Sequence, residues 1–222
     1  MECFIIVTVL WVFSVCLHEF GHAAVAYRGG DYTVRDKGYL TLNPIHYTHP
    51  IYSLAMPVLF MVMGGIGLPG GAVYIERDRL RSPLWGTAVS LAGPAMNVLF
   101  IILIWLCFKT GLVPIEATHL SSIALGLLLQ LQISAVILNL LPVPPLDGFQ
   151  AIAPWLPERT RDQMMAASNL AMWLLFLALW YVEPINALFW LVVDIIMALL
   201  GIPYELTSEG WRAFRFWKQQ GY

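Results

Sequence analysis

The residues with the clearest chemical potential in this chain are two histidines and a glutamate in its first apolar segment. They read His18-Glu19-Phe20-Gly21-His22. On an α-helix, residues four apart lie on one face, so His18 and His22 can bind the same metal ion. Neutral imidazoles suit zinc, and Glu19 is positioned to act as general base toward a water molecule. So short a pattern also arises by chance, and its surroundings must decide between a metal site and a coincidence.

The surroundings of the motif are those of a membrane span. Hydrophobic residues make up 59% of the 222 residues and charged residues only 12%, about half the charged share of a soluble domain. The segment from Phe4 to Tyr27 can cross a bilayer, and ionisable groups inside a membrane indicate function. We interpret Met1 to Leu17 as a retained helix, because it lacks the basic start and cleavage site of a signal peptide. The net charge of -2 gives no indication of a nucleic-acid partner.

Five more apolar segments follow, at 51–68, 85–108, 120–141, 166–182 and 184–200. The first contains Pro57 and several glycines, which is typical of a re-entrant segment whose backbone is covered by protein or water. If it is re-entrant, eleven of the twelve Lys and Arg residues lie on one face of the membrane. If it spans, they divide into four and eight. The positive-inside rule favours the re-entrant model, with the N-terminus outside and the C-terminus in the cytoplasm.

The expected fold class is an all-α polytopic membrane protein, a single membrane-embedded domain over residues 1–222. It would have about five to six transmembrane helices, a re-entrant segment and a short β-strand or hairpin near the cytoplasmic face. Residues 70–75 are the predicted strand. The catalytic core would be 4–150, followed by C-terminal helices at 166–201 and an amphipathic cytoplasmic tail at 204–222.

Asp147 is the best candidate for the third protein ligand that a catalytic zinc site requires. It follows Pro142, Pro144 and Pro145, which end the helix before it. Backbone groups that lose their helical hydrogen bonds inside a membrane are unfavourable, so a break at this position indicates a functional requirement. In the re-entrant topology Asp147 lies at the same membrane face as the two histidines, whereas His119 lies at the opposite face.

Asn139 is a second polar residue near the end of the same span. Its amide could polarise a peptide carbonyl or hold an oxyanion. It could equally make an interhelical hydrogen bond, which is common for Asn in membranes.

Together these residues resemble the site-2 protease family of intramembrane zinc metalloproteases. The matching stretches are H-E-F-G-H at 18–22, A-G-P-A-M-N at 92–97 and N-L-L-P-V-P-P-L-D-G at 139–148, in the order of the family. The resemblance covers the core of the chain, and the chain looks most like the compact subgroup without a PDZ domain.

The resemblance implies a zinc metalloendopeptidase that cleaves transmembrane segments of membrane proteins near the cytoplasmic face, in regulated intramembrane proteolysis. It implies one Zn²⁺ per chain, with the ligands His18, His22 and Asp147. Glu19 would be the catalytic glutamate, and Asn139 would orient the substrate carbonyl. The partners would be transmembrane protein substrates and membrane lipid, in the inner or plasma membrane of a prokaryote, with the active site open to the cytoplasm.

One element departs from the pattern of the subgroup. There an Asn-Pro pair is often followed by His and by Asp-Pro, whereas here Asn43-Pro44 precedes His46 and then His49. These two histidines could cap the active site, bind a second metal or make interfacial hydrogen bonds.

The predicted strand suggests how a substrate would be held. Gly71, Ala72, Val73 and Tyr74 would bind an unwound substrate segment by strand addition. This would satisfy backbone groups of the substrate that lipid cannot.

Two other functions remain open on the residues alone. One is a zinc-binding membrane scaffold, and the other is a metal transporter. A transporter usually shows repeated halves, which this sequence lacks, and neither function requires Glu19 beside a metal ligand.

Overall fold

The computed structural model describes residues 1–43 and 73–218. The α-helices in these ranges are α1 (Glu2–Gly29), α2 (Thr33–Asp36), α3 (Pro83–Lys109), α4 (Leu120–Asn139), α5 (Asp147–Ile152), α6 (Glu158–Ala166), α7 (Ser168–Tyr181), α8 (Glu183–Leu199) and α9 (Tyr204–Phe214). Short 3-10 turns occupy Arg77–Arg79, Ala153–Trp155 and Phe216–Lys218. The expected all-helical character is confirmed for the described ranges.

Three helices, α1, α3 and α4, are long and apolar enough to cross a membrane. The number rises to five if α6 with α7, and α8 with α9, are each counted as one bent span. The five crossings that the sequence predicts for these ranges are the upper end of this count. Taken alone, α7 has 14 residues and α8 has 17, fewer than the about 20 that a span needs. The predicted re-entrant segment at 51–68 lies outside the described residues.

The helix α4 is the central span. Within the most apolar 18-residue stretch of each long helix, 67% of the residues are buried in α4, against 44% in α1 and 39% in α3. Its leucines Leu127, Leu128 and Leu131 are fully buried together with Trp11 of α1. A helix that is apolar on all sides and enclosed by its neighbours provides a fixed frame for the polar residues that it carries.

Small residues bring α1 and α3 close together. A Cβ atom added to Gly21 of α1 would lie 2.8 Å from the carbonyl oxygen of Ala92 in α3. Close approach through small residues is a common way for helices to associate in membranes, where the hydrophobic effect does not drive their contact. The close approach places the two histidines of α1 directly against α3.

The C-terminal segment lies at the wrong end of the bundle for the predicted topology. We call the end near His22 the site end and the end near Lys109 the far end. The carbonyl oxygen of Leu200 accepts a hydrogen bond of 2.9 Å from Nε1 of Trp105, near the far end of α3. The Phe214 ring lies 5.0 Å from the ring of Phe4, close to the N-terminus. The N-terminus and the described part of the tail are therefore at the far end, and the prediction that the tail shares a face with the site is wrong.

The apolar face of α9 packs against protein. Leu206 and Phe214 are fully buried, and a Cβ atom on Gly210 would lie 2.8 Å from Cβ of Leu127 in α4. An amphipathic pattern fits a membrane surface or a protein groove equally well. Here the groove between α4 and α1 receives it.

Residues 73–76 form no strand, contrary to the sequence prediction, and the described ranges offer no strand that could pair with them. Their backbone instead contacts α1 and the loop after it. The N–H of Val73 donates to Oε2 of Glu19 at 3.1 Å, and the N–H of Glu76 donates to Oδ2 of the buried Asp31 at 2.8 Å. A pattern of Val, Tyr and Ile is favourable in strands, but a strand exists only when another strand pairs with it.

Candidate metal centre

Two helices bring the three predicted metal ligands together. His18 and His22 lie one turn apart on α1, and Asp147 is the first residue of α5. Nε2 of His18 is 3.2 Å from Oδ2 of Asp147, and Nε2 of His22 is 3.4 Å from Oδ1. The two Nε2 atoms are 3.0 Å apart. One donor atom from each residue lies within 4.8 Å of the others, a spacing that a single metal ion can bridge.

Hydrogen bonds on the far side of each imidazole fix the atom that faces the cluster. Nδ1 of His22 is 2.7 Å from the carbonyl oxygen of Val89, which can only accept a hydrogen bond. Nδ1 of His18 is 2.8 Å from Oδ1 of Asn97. Both imidazoles therefore carry hydrogen on Nδ1 and present the Nε2 lone pair toward Asp147. Two such nitrogens and one carboxylate form a donor set that fits zinc and leaves an open coordination position.

A glycine in α3 makes room for the two imidazoles. A Cβ atom on Gly93 would clash with Nε2 of His22 and would lie 2.6 Å from Nε2 of His18. Position 93 faces the metal-binding nitrogens themselves, so any side chain there would compete with the metal ion for space.

Asp147 is held by the end of the central span. The helix α4 ends at Asn139, and the chain returns through a proline-rich turn to Leu146. A Cβ atom on Gly148 would lie 2.6 Å from the carbonyl oxygen of Leu141 and would clash with that of Leu140. The glycine after Asp147 therefore allows α5 to begin directly against the end of α4.

A cavity of about 340 Å³ opens onto the cluster. Glu19 is buried, lines this cavity, and accepts the hydrogen bond from Val73. Asn139 is also buried and lines the cavity from the end of α4. The remaining residues around the cavity are Val73, Ile75, Arg77, Val89, Ser90, Pro145, Leu146, Gln150 and Met172.

Several residues of the site had no clear signal in the sequence. Arg77 reaches the cavity wall from the loop before α3 and donates from Nη2 to Oγ of the buried Ser90 at 3.1 Å. Burial lowers the pKa of the Arg77 guanidinium from its ordinary value. Nearby, hydrogen bonds from Lys37 and Arg79 lower the pKa of Glu76 to about 2. Of these charged groups, Arg77 lines the cavity itself. In the sequence, only the A-G-P-A-M-N stretch had indicated that α3 contributes to the site.

Other predicted residues are not part of the cluster. His119 is exposed at the far end and lies 3.4 Å from Glu116, which agrees with its exclusion as a ligand. His46, His49, Gly71 and Ala72 lie outside the described residues, and their predicted roles remain predictions.

Comparison with known proteins finds several bacterial relatives. "Putative zinc metalloprotease Rip2" of Mycolicibacterium smegmatis is 42% identical over 220 residues, which covers 96% of this chain and 81% of the relative. The protein of the same name in Mycobacterium tuberculosis (strain H37Rv) is 41% identical over 215 residues, with the same coverage. "Putative zinc metalloprotease YwhC" of Bacillus subtilis is 30% identical over 186 residues, 79% of this chain and 80% of the relative. No family model and no solved structure matches the chain.

These relatives agree with the cluster in the structure. The identity extends over nearly the whole chain, and the cluster offers a donor set that fits the metal in their names. The expected enzyme class and the expected cofactor, Zn²⁺, are thereby confirmed. This membrane protein is a zinc metalloprotease and belongs to the site-2 protease family.

Proposed function

We propose that this protein is an intramembrane endopeptidase that cleaves transmembrane segments of other membrane proteins near the cytoplasmic face. The observation that carries this proposal is the depth of the cluster. His18, Glu19 and His22 lie inside a helix of 28 residues that is long enough to cross the membrane. A cluster inside a membrane-spanning helix is within reach of peptide bonds that lie in the membrane, which supports a transmembrane segment as the substrate class.

Each polar residue of the cluster has a role in peptide hydrolysis under this proposal. His18, His22 and Asp147 hold the metal through Nε2 and carboxylate oxygens. Zinc in such a site supplies a Lewis acid that polarises a carbonyl group and acidifies a water molecule. Glu19, beside His18, takes the proton from the attacking water and returns it to the leaving amine. Asn139 donates from its amide to the substrate carbonyl.

The segment from Val73 to Glu76 is suited to hold an unwound substrate. In an extended chain, the N–H and C=O groups of alternate residues point to opposite sides. The carbonyl of Tyr74 accepts from Lys37, and the N–H of Glu76 donates to Asp31, so these residues face the protein. Val73 donates toward Glu19, so the polar groups of Val73 and Ile75 face the cavity. A substrate strand could pair with that edge.

The charges at the two ends of the bundle support the proposed orientation of the site. The site end holds residues 28–37 and 77–81, with 159–161 nearby, and these contain eight of the twelve Lys and Arg residues. The far end, with Lys109 and 212–218, contains four. The excess is smaller than the sequence predicted but has the same direction. By the positive-inside rule, this excess supports a site that opens to the cytoplasm.

The test is cleavage of a single-span reporter by the purified protein in lipid vesicles, with the cut mapped by mass spectrometry. We expect a cut inside the apolar span, in the part that lies on the side of the site, and loss of cleavage when zinc is removed by a chelator. Cleavage only in loops outside the membrane, or cleavage that survives zinc removal, would contradict the proposal.

Two proline variants in the same assay test the role of residues 73–76. Ile75→Pro removes an N–H that faces the cavity, whereas Tyr74→Pro removes one that faces the protein. We expect Ile75→Pro to reduce cleavage about tenfold or more relative to Tyr74→Pro, since each lost backbone bond to substrate weakens binding in a site without water. Equal effects of the two variants would show that the segment does not receive the substrate by strand addition.

A further inference from the structure

A chain of four side-chain hydrogen bonds runs from the metal cluster into the apolar core. Nδ1 of His18 is 2.8 Å from Oδ1 of Asn97, and Nδ2 of Asn97 donates to Oε1 of Gln132 at 2.9 Å. Nε2 of Gln132 donates to Oγ of Ser14 at 2.6 Å. Ser14 donates to the backbone carbonyl of Trp11 at 2.8 Å. The chain joins α1, α3 and α4 and returns to α1 one turn before the first histidine.

The direction of every hydrogen bond in this chain is set at its last member. A backbone carbonyl cannot donate, so the single hydroxyl hydrogen of Ser14 must point to Trp11. Ser14 can then only accept, and Gln132 must turn its NH₂ group toward it. This turns the oxygen of Gln132 toward Asn97, which must turn its own oxygen toward His18. The amides of Asn97 and Gln132 have almost the same shape in either orientation, so these bonds decide between the two.

The orientation of Asn97 decides whether His18 can bind a metal ion. With the amide oxygen facing it, Nδ1 of His18 carries the hydrogen and Nε2 has a free lone pair. With the NH₂ group facing it, Nδ1 would have to accept, and the hydrogen would move to Nε2, which then could not bind metal. We propose that Gln132 and Ser14 are positioning residues for the metal site, which fix the orientation of Asn97 and thereby the metal-binding tautomer of His18. The inference rests on the proposed role of His18 as a zinc ligand.

The burial of these groups supports this role. Gln132 is 0% and Ser14 is 1% exposed, in a core made largely of leucine and other apolar side chains. Polar side chains in a membrane core are unfavourable unless all their hydrogen bonds are made, so a fully connected chain from a ligand to a backbone carbonyl indicates a requirement of the site. His22 meets the same requirement in one step, through the carbonyl of Val89.

Another glutamine of the protein provides a matched control, which tests whether Gln132 only holds two helices together. Gln130 lies on the same helix as Gln132, is also buried, and accepts a hydrogen bond of 3.0 Å from Nε1 of Trp211 in α9. Both glutamines join α4 to a neighbouring helix. Only Gln132 is connected to His18, so only its loss should change the metal site.

The experiment compares Gln132→Met with Gln130→Met in the purified full chain. Zinc affinity is measured by competition with a chromophoric chelator, and the ligand geometry by the visible absorption of the Co²⁺-loaded protein. We expect Gln132→Met to weaken zinc binding about tenfold, the lower end of the range for residues behind a ligand, and to change the Co²⁺ spectrum. Gln130→Met should leave both unchanged within about twofold, whatever it does to thermal stability.

A second pair of variants, made in the Asn97→Asp protein, tests whether Gln132 acts through the orientation of residue 97. In Asn97→Asp both side-chain atoms that can face His18 are oxygens, so the tautomer no longer depends on Gln132. Zinc affinity in that background should be the same with Gln or Met at position 132. If Gln132→Met remains as harmful there as in the wild type, its effect is not exerted through the orientation of residue 97, and the proposal is wrong.

The outcomes of these experiments distinguish a failure of this inference from a failure of the proposed function. If His18→Ala loses zinc while Gln132→Met binds it like Gln130→Met, the ligand set stands and the positioning role is refuted. If the wild type binds no zinc, or His18→Ala binds it as tightly, both are refuted. Should Gln132→Met fail to fold, Ser14→Ala removes only the final hydroxyl, and it must weaken zinc binding more than Gln130→Met does.

Discussion

Replacement of Glu19 by Gln is expected to abolish proteolysis while one zinc ion per chain is retained. Gln has nearly the same shape as Glu and can still hydrogen bond inside the cavity, but it cannot take a proton from water. The loss of a general base typically lowers the rate about 10²- to 10⁴-fold. Glu19 is not among the three clustered ligands, so the metal should remain. The measurement pairs cleavage of the single-span reporter with elemental mass spectrometry of the same sample.

An exposed carboxylate at the same end of the bundle provides the control for Glu19. Glu158 is exposed at the start of α6, and Glu158→Gln should leave both cleavage and zinc content unchanged. Cleavage by Glu19→Gln at the wild-type rate would remove the general base from the mechanism. A scaffold would keep its function in this variant, and a transporter would be impaired mainly by changes in the ligands.

Gly93→Ala is expected to disrupt the metal centre without touching any ligand. The new Cβ would lie 2.6 Å from Nε2 of His18 and closer still to His22, at the nitrogen atoms that face the metal. The rings cannot move away freely, since Val89 and Asn97 hold them from behind. Overpacking of this kind typically costs about 1–3 kcal/mol, and we expect zinc affinity to fall about tenfold or more. Chelator competition on the purified variant measures this loss.

The control for Gly93→Ala is a similar overpacking far from the metal. A Cβ atom on Gly126 would lie 2.9 Å from Cβ of Leu206, at the contact between α4 and α9. Gly126→Ala should lower the thermal stability of the protein but leave zinc affinity unchanged. If the two variants lose zinc affinity equally, the effect at position 93 is general destabilisation, and the close contact with the imidazoles has no special role.

The ligand cluster could be predicted from the sequence because the rules that govern it are local. The four-residue spacing of His18 and His22 needs only the geometry of a helix. Asp147 followed from the prolines before it and from the membrane face at which its span ends. The chain of hydrogen bonds that connects His18 to Ser14 through Asn97 and Gln132 could not be predicted in this way. Its members lie on three helices, and sequence patterns do not show which polar side chains will meet across them.

The errors at the C-terminus have a different physical cause. The residues 204–222 alternate aromatic and basic side chains, and this pattern fits lipid as well as the groove between α4 and α1 that receives Leu206 and Phe214. Charge counting treated 166–182 and 184–200 as two separate crossings, whereas α7 has 14 residues and α8 has 17, each short for a span by itself. The part of the predicted strand that is described, residues 73–75, forms no strand for a related reason, since β-propensity cannot show whether another strand is available for pairing.

The most direct measurement is the number of zinc ions per chain in the purified wild type and in Asp147→Ala. Asp162→Ala, which changes an exposed carboxylate on α6, serves as the control. The proposed ligand set predicts one zinc per chain in the wild type and in Asp162→Ala, and loss of zinc in Asp147→Ala. A wild type that binds no zinc, or an Asp147→Ala variant that holds zinc as tightly as the wild type, would contradict it.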